Sequence, residues 1–299
     1  MPRLLRLLLL LLCISLPAAA QPLRWEVEGP PSLAPVAERL RGLEPDRLVG
    51  AMRLVGLEDA GPPIRVIVAP EGSEAARAVP PWVSGYALSE QGIVVILPAR
   101  TPTYPDSSLP DLFRHEIAHV LVARAAGGGE VPRWFHEGVA MVAGLTWGLD
   151  DVSRASLAVM VRGEVPLATL DRAFGGGHGE VQRAYAIAGT FVRDLLERHG
   201  QDVAGQILAG VRQGLPFEEA FARATGETLA AAEAGFWERQ SFWYRWVPLL
   251  TSSVTLWLGI TLLAVWAIRR RRKRDAALRA RWDEEEKRLA EVSLDEPVN

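Results

Sequence analysis

Cysteine is almost missing from this chain. Cys13 is the only one in 299 residues. It lies inside an N-terminal apolar run, so nothing downstream of it can form a disulfide or a thiolate metal site. Strong charge is missing too: the formal net charge is −3. The only dense basic run is Arg269–Arg274, and it follows an apolar segment, so the chain carries no nucleic-acid footprint. Almost all the basic residues are arginine, and Ala, Leu and Gly are abundant, a composition that hints at a GC-rich bacterial gene. What the chain does have is apolar material, 49% of its residues. That is enough for one medium-sized core plus accessory segments.

Two apolar runs frame the chain. In "MPRLLRLLLLLLCISLPAAAQP", Arg3 and Arg6 precede a Leu-rich stretch, and Ala18-Ala19-Ala20 offers small residues for cleavage. Residues 1–20 therefore read as a signal peptide, and Leu12 before Cys13 argues against lipidation. The second run, "WVPLLTSSVTLWLGITLLAVWAI", covers 246–268 without a charge. At about 1.5 Å per residue it is long enough for a hydrocarbon core of roughly 30 Å. Trp243, Tyr244 and Trp246 stand at one end, Trp266 and "RRRRKR" at the other. Aromatic belts and a positive cytoplasmic flank predict one transmembrane helix with 21–245 exported and 269–299 a charged cytoplasmic tail.

Within 21–245, strands come first and helices later, which predicts an α+β fold: a small mixed sheet followed by a mostly helical lobe. "LRWEVEG" and "IRVIVAP" read as strands. "SGYALSEQGIVVILPA" reads as a hairpin turning at Glu90-Gln91-Gly92. Its second strand, Ile93–Leu97, is a candidate edge for an extended peptide, with an interior place in the sheet as the alternative. "TPTYPDSSLP" is a loop, and Asp111 is a candidate cap for the helix that follows. After Gly144 the pattern is mostly helical, with a break at the glycines around His178.

The chemistry concentrates in "RHEIAHVLVARAAGGGEVPRWFHEGVA", Arg114–Ala140. On a helix, Phe113, Ile117, Val120 and Leu121 form an apolar stripe, while His115 and His119 share another face one turn apart, roughly 6 Å. Two imidazoles so placed can reach one zinc ion. Glu116 beside them projects sideways, where it can act as a base toward water at the metal. A catalytic zinc needs a third protein ligand. The candidates are His136 and Glu137 on the next helix. Ala140 and Gly144 share the Glu137 face and are small enough to let it press toward the first helix, which favours Glu137.

"HEIAH" followed by "WFHEGVA" resembles the gluzincin metallopeptidases, most of all the peptidase MA-like group, with its H-E-x-x-H and W-x-x-E-G-x-A signatures. The similarity extends over about Ile64 to Gly235 and takes in "AYAIAGTFVRDLLERHG". It implies Zn2+ held by His115, His119 and Glu137, Glu116 as catalytic base, and Tyr185 as transition-state stabiliser. It further implies a peptide or protein substrate. One position departs from the pattern: many gluzincins carry an Asp four residues after the glutamate ligand, and here Met141 stands there. The support for the histidines must then come from elsewhere. Two other readings compete: a non-catalytic zinc-stabilised envelope module that binds or senses a partner, and a metal-free scaffold. His178, in the glycine-rich break, is a candidate substrate contact, with a plain exposed loop histidine as the alternative.

Overall fold

The computed structural model describes residues 22–101, 106, 108–144, 165–251 and 253–294. The signal-like segment 1–20 lies outside the described residues. The chain divides into two units, Met1–Glu238 and Arg239–Asn299.

The first unit is α+β, as the order of patterns predicts. Four short strands form one mixed sheet: β1 (Trp25–Glu28), β2 (Ile64–Val68), β3 (Gly85–Leu88) and β4 (Ile93–Ile96). Their order is β1-β2-β4-β3. β2 pairs in parallel with β1 and β4, and β3 pairs antiparallel with β4. The hairpin turn closes at Gly92, whose φ of 65° is a left-handed conformation that glycine adopts without strain. Ile93–Leu97 is therefore not the edge. β4 is interior, and β3 is the edge strand beside it. The burial pattern gives the reason. Val94, Val95 and Ile96 are all buried, as a strand covered on both faces requires, whereas β3 is only partly covered.

Helices α1 (Ala34–Arg41) and α2 (Asp46–Leu54) break between them near Pro45. The central helix α3 (Leu109–Ala126) packs on β3 and β4. Its cap is Ser108 rather than Asp111: the Ser108 hydroxyl accepts from the Asp111 N–H at 3.3 Å, and Asp111 sits inside the first turn. The predicted stripe is deep in the core, with Phe113, Ile117, Val120 and Leu121 all fully buried. At the far end, Gly127 and Gly128 both take positive φ, reversing the chain toward α4 (Arg133–Ala143).

Among the described residues five further helices follow: α5 (Leu167–Ala173), α6 (His178–His199), α7 (Val203–Arg212), α8 (Phe217–Thr225) and α9 (Leu229–Thr251). α4 is clasped between α3 and α6. Trp134 anchors it, meeting Phe135, Phe191 and Phe217 edge-on at 5.3–5.8 Å. Gly138 sets how near α4 comes to α6. A Cβ there would stand 2.6 Å from both the Ala188 carbonyl oxygen and Val192 Cγ2.

In the second unit, α10 (Ser253–Leu294) is a 42-residue helix. Among the described residues no helix is long and apolar enough to cross a membrane. The single transmembrane helix expected over 246–268 is thus not found as such. The apolar stretch is shared between the end of α9 and the start of α10, and α10 runs on through the Arg269–Arg274 cluster.

The Gly138 contact gives a stability prediction. Gly138→Ala raises helix propensity but forces a methyl into the α4–α6 seam. Overpacking of this kind costs about 1–3 kcal/mol. Urea unfolding of the variant is expected to show a lower midpoint by that order; an unchanged or higher midpoint would show that the seam yields freely.

Candidate metal centre and cleft

Three side chains from α3 and α4 converge. His115 and His119, one turn apart on α3, turn their Nε2 atoms toward each other at 3.2 Å. Glu137, brought in by α4, places Oε2 3.3 Å from His119 Nε2 and 3.6 Å from His115 Nε2. Ligand atoms held about 2.0–2.1 Å from a zinc ion at tetrahedral angles lie about 3.3–3.4 Å apart. The three atoms therefore form one face of a tetrahedron of the right size. Among the described residues these three make the group that could hold a metal ion. Glu137 Oε2 is buried without a hydrogen bond of its own. A buried oxygen in that state calls for a cation.

The sequence left His136 and Glu137 as rival ligands, and the structure gives them different places. Glu137 faces the two Nε2 atoms. His136 lies behind them, its Nδ1 2.7 Å from His119 Nδ1. Burial, and then the neighbouring His119, push His136 down to about 3, so it stays neutral. Burial likewise lowers His119.

Glu116 is buried, and its Oε2 has no hydrogen-bond partner. It lies against the edge strand: a Cβ at Gly85 would be 3.1 Å from Glu116 Oε1. Glycine at 85 thus lets the carboxyl sit directly on β3. Burial raises Glu116 to about 8, against the lowering effect of His115. Burial would raise Glu137 as well, but the facing His119 and His115 hold it well below its ordinary range. Tyr185, from α6, has its ring 6.0 Å from that of His115. Burial, Glu137 and Glu116 together keep its hydroxyl protonated.

The sequence reading passed over one residue here. Asp106 belongs to the stretch read as a plain loop, yet its carboxyl is buried and Oδ1 has no partner. It lines a small cavity with His115, whose Nδ1 is equally unpartnered, and with Glu116 and Tyr185. Burial raises Asp106 to about 6, partly offset by His115. Burial pulls His115 down, but Asp106, Glu137 and Glu116 outweigh it and hold it at about 9. No motif marks Asp106. An acid just ahead of a helix cap was its only signal. His178 turns out to be the first residue of α6 rather than part of a loop, bonded to Gln182 at 2.9 Å.

The metal group opens on a cleft of about 540 Å³ between β3, α3, α4 and the start of α6. Glu116, His119, Glu137 and Tyr185 line it, together with Gly85, Tyr86 and Ala87 of the edge strand. A paired-histidine helix, a glutamate delivered by the next helix and an edge strand beside them make up a candidate metal site open to the cleft. The family comparison agrees: the model for the peptidase MA superfamily matches residues 73–240, and the chain belongs to that superfamily. A search of curated proteins found no match to the chain.

Buried charge makes the metal-free protein sensitive to pH. Glu116, raised to about 8, remains protonated in the fold at pH values where the unfolded chain has already released that proton. His115, raised to about 9, keeps a proton in the fold that the unfolded chain loses near its ordinary value. The Glu116 contribution is lost as pH rises from about 4.5 to about 8, and that of His115 from about 6.5 to about 9, so both decline together above about 6.5. The lowered His119, His136 and Glu137 act below that window. The Tm of chelator-treated protein is therefore expected to fall between pH 6.5 and 9, and less steeply in Glu116→Gln. A flat or rising profile in that window would contradict the charge assignment.

Proposed function

We propose that this protein is a membrane-anchored zinc peptidase that hydrolyses peptide bonds of extracytoplasmic peptides or proteins. The observation that carries the reading is the triangle of Nε2, Nε2 and Oε2 atoms, zinc-sized, with an unpaired buried carboxyl beside it. His115, His119 and Glu137 would hold the metal. Two imidazoles and one carboxylate are a donor set that zinc takes readily. Zinc bound there would supply Lewis acidity, polarising a peptide carbonyl and making nearby water more acidic.

The chain's own residues do the rest. Glu116 takes the proton of the attacking water at its carboxylate and passes it to the departing amine. The positive charge of a bound cation opposes the burial that raises this carboxyl and favours its ionised form. Tyr185 keeps its proton and donates its O–H toward the oxygen of the scissile carbonyl, where negative charge develops. His119 must present a lone pair at Nε2, so its proton sits on Nδ1. That Nδ1–H donates to Nδ1 of neutral His136, which fixes the ring. The edge strand β3 offers free backbone groups along the cleft, where an extended peptide can lie as an added strand.

Membrane attachment rests on residues 246–268. Trp257, Leu258, Leu262, Leu263, Trp266 and Ile268 are each more than half exposed. An apolar helix surface uncovered at so many adjacent positions suits lipid rather than water. The basic cluster that follows suits a cytoplasmic end, and the signal-like start suits export of what precedes.

Two experiments test these readings. In the first, zinc content and cleavage of a peptide mixture are measured on the full chain. Glu116→Gln is expected to keep about one zinc per chain and lose at least 10²-fold in turnover, the lower end of what a general base contributes. Glu137→Ala is expected to lose the metal. His136→Ala is expected to keep the ligand set but bind zinc about 10–100-fold more weakly, as loss of a supporting hydrogen bond does. Near-normal turnover in Glu116→Gln would turn the reading toward a non-catalytic zinc module. Metal loss in His136→Ala but not in Glu137→Ala would reverse the ligand assignment. The second experiment fuses a reporter after Asn299. Activity confined to the cytoplasmic form of the reporter is expected; activity of an exported form would refute the topology.

A further inference from the structure

We propose that Arg133 makes the cleft select peptides that present a carboxylate one or two residues from the bond to be cut. The inference rests on the peptidase reading and names its substrate class.

Arg133 is the first residue of α4, and its backbone is fixed. The Asp171 carboxylate accepts from the N–H of Arg133 at 3.2 Å and of Trp134 at 2.9 Å. The side chain then lies along the helix toward the metal group, with Nε 3.4 Å from Glu137 Oε1. The guanidinium carbon stands 5.1 Å from the centre of the Phe174 ring, so the group rests on an aromatic face. The side chain remains 52% exposed. Among the described residues no hydrogen bond uses its two Nη atoms. Among the described residues, Arg133 is also the only lysine or arginine that lines the cleft.

Such an arginine presents a planar pair of donors held in place from behind. That is the form in which guanidinium binds carboxylate by two parallel hydrogen bonds. Charge favours the same ligand. Among the described residues that line the cleft, the guanidinium of Arg133 is the cationic side chain a carboxylate would meet. Elsewhere the wall is apolar, with Trp82, Tyr86, Val131 and Phe174. The site therefore suits an apolar peptide with one nearby carboxylate.

Position sets the register. Arg133 Nε stands 3.4 Å from Glu137 Oε1, and the metal group lies on the other oxygen of that carboxylate, so the guanidinium is only about 5–7 Å from it. Extended peptide advances about 3.3 Å per residue. A carboxylate held by Arg133 thus lies one or two residues from a carbonyl at the metal. It can be the C-terminal carboxylate of the substrate, which makes the enzyme trim chain ends, or an Asp or Glu side chain within it.

Calorimetric binding to the zinc-loaded full-length Glu116→Gln protein tests this without turnover. Three probe peptides share one apolar sequence: a free C-terminal acid, its C-terminal amide, and the amide with one internal glutamate. The free acid or the glutamate peptide is expected to bind about 10–100-fold more tightly than the plain amide, and which of them does so identifies the source of the carboxylate. Adding Arg133→Gln is expected to remove the difference with zinc content unchanged, while Arg133→Lys, which keeps the charge but not the fork, retains part of it. Equal affinities for all three, absence of binding included, would overturn the proposal, as would a preference that survives Arg133→Gln. Loss of zinc in Arg133→Gln would also overturn it, by showing that the arginine serves only to orient Glu137. The peptidase reading fails separately: a carboxylate preference that persists while the parent protein hydrolyses none of the peptides would sink that reading and leave this one standing.

Discussion

The structure depends on one costly arrangement: three carboxyls and two imidazoles gathered in or against the core. Asp106, Glu116 and Glu137 are all buried, and so is His115. Isolated charges in such a place cost several kcal/mol each unless they are paired or bound to a cation. The neighbours show that the gathering is held deliberately. α3 is packed over nearly its whole surface, so its histidines cannot swing outward. α4 is locked on one side by the Trp134 aromatic cluster and on the other by the bond from Arg114 Nε to the Gly144 carbonyl. Gly138 allows the third side to close on α6. Helices pinned in this way cannot relax to solvate Glu137, and a divalent cation is the natural counter-charge.

Much of this was legible from the sequence because it depends on periodicity. Four-residue spacing put His115 and His119 on one face whatever the rest of the fold. The hairpin around Gly92 and the early strands followed from alternation and turn residues. The choice of Glu137 over His136 was legible in part, through the small residues on its face, although the closest approach of α4 is at Gly138 to α6, a contact that no pattern within α4 foretells. The edge strand was left open between two alternatives for a physical reason. Sequence alternation tells which residues face a core but not which strand ends a sheet. Ile93–Ile96 is too apolar to stand at an edge, and that was the available clue. Asp106 was invisible because its buried place beside His115 is a matter of tertiary position, which leaves no periodic trace. The cap at Ser108 was missed because Asp111 is an equally good capping residue by type; only backbone geometry separates them. The apolar segment at 246–268 was clear as composition, but composition does not reveal that it is divided between two helices.

The two His-Glu pairs show how one dipeptide serves opposite ends. In His115-Glu116 the histidine faces the metal group and the glutamate faces the cleft and the edge strand. In His136-Glu137 the glutamate faces the metal group and the histidine stands behind it. Adjacent residues on a helix point about 100° apart, so a pair can never offer both side chains to one point. Each pair must therefore divide its labour, and the helix orientation decides which member goes inward. α3 is oriented by its apolar stripe and α4 by Trp134, three residues ahead of Glu137. The order His-Glu is the same in both, and the roles are exchanged because the helices present different faces to the same centre.

The same geometry explains how the site manages without an aspartate at position 141. Met141 is buried in the core and contributes packing alone. Two neighbours outside α4's fourth position act on the histidines instead. His136 holds Nδ1 of His119 directly at 2.7 Å. For His115, the carboxyl that shares its small cavity is Asp106. His115 Nδ1 and Asp106 Oδ1 make no hydrogen bond, so Asp106 acts on the imidazole through charge, helping to hold it at about 9. Asp106 stands two residues ahead of the Ser108 cap, so that charge lies beside the start of the helix that carries His115.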